Sequence, residues 1–312
     1  MTTAPSRACD LMVVGTIALD DVATPSGEAK AVLGGSATYF SVAASLFTRV
    51  GLVGVVGDDF PRSFHELLAA RDIDLSGFET APGRTFHWSG RYDGAMNAAT
   101  TLVTDLNVLA RFSPSLPPPL RATPFVFLAN TAPDIQASVL SQLSPPRGSG
   151  RRLVVADTMN LWIDTARPAL LDVLRRVDGL LINDEEARSL SGARNLVAAG
   201  KKLLTMGPAF VVVKKGEHGA FLFARDRRFA MPSYPLEDVR DPTGAGDSFA
   251  GGLLGALAAS GRSETADVVR AMVYGTVTAS FAVSSFSLDG LVRVTRSDVE
   301  ARAEELRRFL SL

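Results

Sequence analysis

The sequence predicts an α/β protein: a doubly wound, mainly parallel sheet flanked by helices, with a small β-sheet set apart from it. Three observations carry this expectation. Short, wholly apolar runs such as Leu11-Met12-Val13-Val14 and Phe210-Val211-Val212-Val213 read as strands buried on both faces. Most of these runs are followed by a segment with helical spacing, as repeated βα units require. Two stretches, about 16–35 and 84–105, break that alternation: each holds two extended pieces around a turn, with no helix between them. With 46% hydrophobic and 21% charged residues, 312 residues suffice for one large packed domain carrying such a decoration, over 1–312.

Residues 11–15 form the first strand, closed by Gly15. The 16–35 stretch turns at Pro25-Ser26-Gly27-Glu28 and carries the acidic pair Asp20-Asp21, so it reads as a hairpin leaving that strand's carboxyl end. Gly34-Gly35 then opens a helix of small and apolar residues over 36–47. A strand follows over 50–56, closed by Gly57-Asp58-Asp59, and a helix over 60–70 with Phe60, Phe64, Leu67 and Leu68 on one face. Strands over 84–92 and 95–104 flank Asp93-Gly94, the strongest short hairpin signal in the chain. The two hairpins lack crossover helices and are expected to pair as one small sheet. Beyond the rigid connector Pro117-Pro118-Pro119, strand and helix alternate: strands at 125–129, 153–156, 179–182 and 210–213, helices at 133–143, 166–176, near 184–190 and 195–206. The segment 219–223 pairs with 210–213 across Lys214 to His218, and helices fill 245–259 and 264–281. Ser297-Asp298-Val299-Glu300 reads as the capping box of a last helix.

Composition excludes several classes. A formal net charge of −1, from 32 basic and 33 acidic residues, gives no electrostatic reason to expect nucleic acid or an anionic membrane. Cys9 is the only cysteine, and His65, His87 and His218 are scattered, so neither a disulfide framework nor a Cys or His metal site is expected. No apolar run reaches membrane-spanning length and no signal peptide is read at the N-terminus, so the expected location is cytoplasmic. Neither Gly-x4-Gly-Lys-Ser/Thr nor Gly-x-Gly-x-x-Gly after a strand is present.

The chemistry concentrates in 241–255. Gly244 and Gly246 let the backbone turn tightly, and the helix that follows adds unpaired N–H groups and the positive end of its dipole. That makes an anion site suited to phosphate. Asp247 sits at the same turn. A carboxylate does not help hold an anion, but it fits a general base beside a phosphoryl group about to move. Its competing role is that of an ordinary first-turn helix acid.

These residues carry a resemblance. Asp241-Pro242-Thr243-Gly244-Ala245-Gly246-Asp247-Ser248 resembles the carboxy-terminal signature of the ribokinase-like (PfkB) carbohydrate kinase family. Gly34-Gly35 before a helix, with Gly54-Val55-Val56-Gly57-Asp58-Asp59, resembles its amino-terminal signature. Asn183-Asp184-Glu185-Glu186 matches its Asn-x-x-Glu motif, and Lys215-Gly216-Glu217-His218-Gly219 resembles the turn beside its nucleotide. Four motifs in order cover most of the chain.

The resemblance implies transfer of the γ-phosphoryl group of ATP to a hydroxyl of a sugar or sugar-like acceptor, under a β lid made by 16–35 and 84–105. It gives Asp247 the role of base and Gly244, Ala245 and Gly246 that of backbone donors to the transferring phosphate. Asn183 and Glu186 would help hold Mg2+ through water, a role compatible with an Asn N-cap followed by first-turn acids. Lys215, Gly216, Gly219 and Thr243 fall on the ATP side, Lys214 and Lys215 beside that turn being read as exposed rather than as phosphate contacts, and 279–287 borders the adenine. Asp241 and Thr243 match positions that bind a monovalent cation such as K+ in some members; an Asp before Pro is also an ordinary turn residue. On the acceptor side stand Asp20, with Asp21 as its competitor, Gly34, Gly35 and Asn130, with Asp157 and Asn160 near the next strand end. Tyr39 is expected on the same acceptor side, where it can stack on a ring and offers one hydroxyl, although the family commonly has Asn there. His87, Trp88 and Tyr92 fall in the lid, where aromatics either cover a ring or pack the lid sheet. A nucleoside kinase of the same fold is the nearest alternative, and a non-catalytic binding module a more distant one, opposed by the retained Asp247, Asn183 and Glu186. Paired lid faces in this family imply a homodimer.

Overall fold

The computed structural model describes residues 8–311 apart from Ala95 and Ser149; the no-signal reading bears on residues 1–7 and lies outside them. In chain order the strands are β1 (Leu11–Val14), β2 (Ala18–Thr24), β3 (Gly27–Gly34), β4 (Val50–Gly57), β5 (Asp74–Ala81), β6 (Phe86–Tyr92), β7 (Ala99–Asp105), β8 (Phe125–Leu128), β9 (Leu153–Ala156), β10 (Gly179–Asn183), β11 (Phe210–Lys214), β12 (Ala220–Ala224) and β13 (Arg228–Met231). The helices are α1 (Ser36–Ser45), α2 (Arg62–Ala70), α3 (Pro118–Arg121), α4 (Pro133–Gln142), α5 (Asn160–Thr165), α6 (Arg167–Leu174), α7 (Asp184–Ser191), α8 (Leu196–Leu204), α9 (Ala245–Ser260), α10 (Thr265–Ala282), α11 (Asp289–Val292) and α12 (Arg296–Leu310).

A sheet of nine strands runs β13-β12-β11-β10-β9-β8-β1-β4-β5, parallel from β11 to β5, with β12 and β13 antiparallel at one edge. Alternation sends Leu11 and Val13 to one face and Met12 and Val14 to the other. The first face packs on α1, α9, α10 and α12, through Phe40, Leu253, Met272 and Val299 among others. The second packs on α4, α6, α7 and α8, through Val139, Leu170, Leu190 and Leu203. Each such buried side chain contributes roughly 1.5–3 kcal/mol. Close contact of α9 with its neighbours needs small residues: a Cβ on Gly251 would lie 2.5 Å from the Phe40 carbonyl oxygen on α1, and one on Gly252 2.1 Å from Thr278 on α10. The chain moves outward from β1 to β4 and β5, then returns to β8 on the other side of β1. The crevice of a doubly wound sheet opens at such a reversal, at the strands' carboxyl ends.

The second sheet runs β3-β2-β6-β7; both hairpins are antiparallel and β2 joins β6 in parallel. The expected small sheet is therefore present. Four local expectations are corrected. The link from β6 to β7 spans residues 93–98, not the two residues Asp93-Gly94, and Ala95 lies outside the described residues. Strand β5 was not expected, because its half-buried pattern offers no apolar run. The three prolines end in a one-turn helix, α3, with prolines at its first positions. The last helix starts at Arg296, and its capping box is Thr295 with Asp298: the Asp298 N–H donates to the Thr295 hydroxyl at 3.3 Å and the Thr295 N–H to the carboxylate at 2.9 Å.

Candidate active site

Helix α1 starts without a side-chain cap of its own, since Gly35 is its N-cap. The Thr16 hydroxyl substitutes, accepting the Ser36 N–H at 2.9 Å, while the Ser36 hydroxyl donates to the Asn130 carbonyl at 2.9 Å. This ties the ends of β1 and β8 to the helix and fixes Gly34, Gly35 and Asn130 around the crevice. The Asn130 side chain is engaged by Trp162, whose indole N–H donates to Oδ1 at 3.0 Å.

Asp20 is buried, with 4% of its surface exposed. A Cβ on Gly34 would lie 1.8 Å from its carboxylate, so the glycine makes room for the acid. Burial, then the charge of Asp241, pushes the Asp20 carboxyl up to about 8. Asp21 points to the other sheet face, where it accepts the Ala31 N–H at 2.7 Å and pairs with His87 at 3.3 Å. Geometry thus assigns the crevice to Asp20 and the outer face to Asp21 and His87.

Trp88 stands opposite Asp20 in parallel register, on the same face. Its six-membered ring fills the space of a Gly90 side chain, where a Cβ would lie 2.1 Å from Cη2. Tyr92 follows on that face, its hydroxyl accepting from Thr243 Oγ1 at 3.3 Å. Burial pushes its phenol up to about 12. The small sheet thereby touches the 241–247 turn.

That turn is built around Tyr39, which is 1% exposed. Gly244 has φ +71, and a Cβ there would lie 2.3 Å from the Tyr39 ring. Gly244 therefore answers both a left-handed backbone and a ring already in place. Tyr39 is packing for the turn, and its burial raises the phenol well above its ordinary value. The Ala245 N–H donates to the Pro242 carbonyl at 3.2 Å, whereas the N–H groups of Gly246 and Asp247 have no backbone acceptor among the described residues. Asp241 is 1% exposed and accepts from the Thr243 N–H at 2.9 Å and the Ser287 N–H at 3.2 Å, clamping the turn to 287. Burial raises its carboxyl.

Asp247 stands at the start of α9, where burial, then Asp157, pushes its carboxyl up to about 7. Lys214 lies across from it. The sequence reading made Lys214 an exposed residue; instead its side chain is 16% exposed, with Nζ 2.9 Å from Asp157 Oδ2. Burial opposes its charge, but Asp157, Asp247 and Glu186 together hold the ammonium above its ordinary range. A Cβ on Gly246 would lie 2.8 Å from Lys214 Nζ. The missed signal was register: Lys214 pairs with Asn183 across β10 and β11, so the two strand ends lie side by side.

Asn183 and Glu186 form a reciprocal capping box, with Asn183 Oδ1 accepting from the Glu186 N–H at 2.8 Å and Glu186 Oε2 from the Asn183 N–H at 2.9 Å. One Glu186 oxygen is left outside the box. Burial, then Asp157, pushes that carboxyl up to about 8. Among the described residues no three His, Cys, Asp or Glu side chains cluster as a metal cage. Mg2+ does not require one, because it is commonly held by one or two carboxylates, waters and substrate phosphates.

A cleft of about 700 Å3 runs from this centre past Lys214, Gly216, Gly219, Ala245 and Gly246 to Thr276, Ala279 and Val283. It joins the 216–219 turn to the 279–283 segment read as an adenine border. Asn97, on the link between β6 and β7, reaches over it to donate to Glu217 at 3.3 Å. Lys215 turns aside, its ammonium 3.7 Å from the centre of the Phe221 ring.

The sequence model of the pfkB family carbohydrate kinases matches residues 9–292. The cytidine kinase of Thermococcus kodakarensis is 30% identical over 253 residues, 78% of this chain and 87% of that protein. The nucleoside kinase of Methanocaldococcus jannaschii, an archaeal member of the ribokinase family, superposes with TM-score 0.75 at 21% identity, covering 96% of this chain and 99% of that one. A putative ribokinase II from E. coli, solved in complex with ATP and Mg2+, gives TM-score 0.74 at 19% identity, with 95% and 99% covered.

Proposed function

This chain belongs to the pfkB family of carbohydrate kinases, and from that premise we propose that its acceptor is a nucleoside, phosphorylated on a sugar hydroxyl. The protein is an ATP-dependent phosphotransferase acting on an alcohol group. The observation that carries the nucleoside reading is the indole of Trp88. It lies on the crevice face of the small sheet, opposite Asp20 in register and on the same face of β6 as Tyr92, as a flat apolar surface beside a carboxylate. A planar base stacks on such a surface while sugar hydroxyls donate to the carboxylate. The names of the cytidine and nucleoside kinases point the same way. A free sugar would use Asp20 and leave Trp88 only its packing over Gly90 and its indole hydrogen bond to Thr101 at 3.4 Å.

Asp247 would take the proton of the attacking hydroxyl, and its raised carboxyl suits a base working near neutral pH. The open N–H of Gly246, with Gly244 and Ala245 shaping the turn, would face the transferring phosphoryl group. Glu186, with its free oxygen, and Asn183 would hold Mg2+ through water; the ion, when bound, neutralises phosphate charge. Gly216, Gly219 and Thr243 would border the ATP, with Lys215 turned away onto Phe221, and the small sheet would serve as the lid over residues 16–35 and 84–105. A K+ at Asp241 and Thr243, and a homodimer through the lid face that exposes Leu102 and Val103, belong to the same proposal. Tetramethylammonium in place of K+ and a sedimentation measurement test these two.

Purified protein, Mg2+ and ATP are offered to a panel of nucleosides and free sugars. Phosphorylation of nucleosides, with KM for the nucleoside raised by Trp88→Ala and KM for ATP unmoved, is the expected result. Phosphorylation of sugars alone overturns the nucleoside reading.

A further inference from the structure

The element of the site left without a task is the Lys214–Asp157 pair. Lys214 ends β11, and its side chain lies over the first turn of α9, with Nζ, Cε and Cδ 2.8, 3.4 and 3.5 Å from where a Gly246 Cβ would stand. Gly246 is thus a glycine that a lysine covers. An ammonium carries three N–H donors. Asp157 Oδ2 takes one at 2.9 Å and is its only hydrogen-bond partner among the described residues. Lys214 lines the cleft, and the side chains of Lys214 and Asp157 are 16% and 5% exposed.

We infer that Lys214 is a catalytic residue that contacts the γ-phosphoryl group of the nucleotide across Gly246, with Asp157 holding it in place. This assignment rests on the kinase reading. Three carboxylates, Asp157, Glu186 and Asp247, surround Lys214, and a nucleotide brings more negative charge to the same place. The ammonium offsets that charge where it develops, and its free donors reach toward the turn whose Gly246 N–H is open. A merely structural partner for Asp157 would need neither the position over the anion turn nor a glycine beneath it.

The test compares binding of ADP and of AMP-PNP, with Mg2+, to wild-type protein and to Lys214→Met by titration calorimetry, together with turnover. Loss of the lysine is expected to weaken AMP-PNP by roughly tenfold or more while ADP changes little. Turnover is expected to fall by about 10²–10³-fold. Because Lys214→Met strands the buried Asp157, the double variant Lys214→Met/Asp157→Asn, which removes both charges, is measured beside it and is expected to show the same selective loss. An unchanged ratio of AMP-PNP to ADP affinity in the folded variants overturns the inference and leaves the kinase reading standing. Wild-type protein that binds neither nucleotide overturns both.

Discussion

The two glycines of the anion turn make a quantitative contrast. Gly246 lies inside α9 with helical backbone, and the three atoms nearest to where a Cβ would stand belong to the flexible end of Lys214. Gly246→Ala therefore gains helix propensity, up to about 1 kcal/mol, and asks Lys214 to give way by a few tenths of an ångström. Gly244 sits at φ +71 with three Tyr39 ring atoms 2.3–2.4 Å from the Cβ position, and that ring is 1% exposed and cannot move away. Gly244→Ala costs about 1–2 kcal/mol for the left-handed backbone and about 1–3 kcal/mol for the overpacking, roughly 2–5 kcal/mol together. At about 2.1 cal/mol/K per residue of unfolding entropy, that lowers Tm by roughly 3–8 °C. Gly246→Ala is expected within about 2 °C of wild type, yet to lose roughly 100-fold or more of its turnover, because the new methyl displaces Lys214 and blocks approach to the turn. Calorimetric unfolding and a coupled ADP-release assay measure both. A Gly246→Ala protein with full turnover, or one as unstable as Gly244→Ala, refutes the reasoning.

Asp247→Asn is expected to cost turnover about 10²–10⁴-fold without lowering Tm, because burial disfavours this carboxylate; measurable turnover at the wild-type level contradicts the base assignment. For the free enzyme, kcat/KM is expected to fall tenfold per unit below a pH of about 7, where Asp247 takes up its proton; a limb that breaks near the ordinary carboxylate range speaks against Asp247. Stability should follow the opposite sense. Asp20, Glu186 and Asp247 are raised to about 8, 8 and 7, so the folded, ligand-free protein holds protons that the unfolded chain has released. Their contribution is full below a pH of about 4 and is lost as pH rises through about 8. Tm is expected to decline across that window, less steeply in Asp247→Asn; a rising Tm would contradict the assigned shifts.

Legibility of the sequence followed burial. Strands such as β1 and β11, buried on both faces, are unbroken apolar runs and stand out. The strands β5 and β13 lie at the sheet's edges, with mixed burial, and carry no such run. Motif glycines and acids were legible because turns and anion sites demand particular residues at fixed spacing. Their neighbours in space were not. Lys214 becomes part of the site through cross-strand register with Asn183 and its position over Gly246, and Tyr39 through the missing side chain of Gly244. Both are tertiary relations between segments far apart in the chain, invisible to local spacing. Asp20 and Asp21 could be told apart only once the face of β2 was fixed.

The small sheet is spliced into the chain at four short junctions: residues 15–17, residue 35, residues 82–85 and residue 106. Asp20, Trp88 and Tyr92 all lie between those junctions, whereas Asn183, Lys214 and Gly244–Asp247 belong to the latter half of the sequence. On the proposed reading, choice of acceptor and transfer of phosphate are thus encoded on separate cassettes. They meet at the Tyr92–Thr243 hydrogen bond, at Asn97 and Glu217, and where the Thr24 and Ser287 hydroxyls donate to the Arg240 and Leu33 carbonyls. A chimaera that exchanges the cassette at its four seams while keeping these meeting points could acquire a new acceptor without rebuilding the phosphoryl machinery.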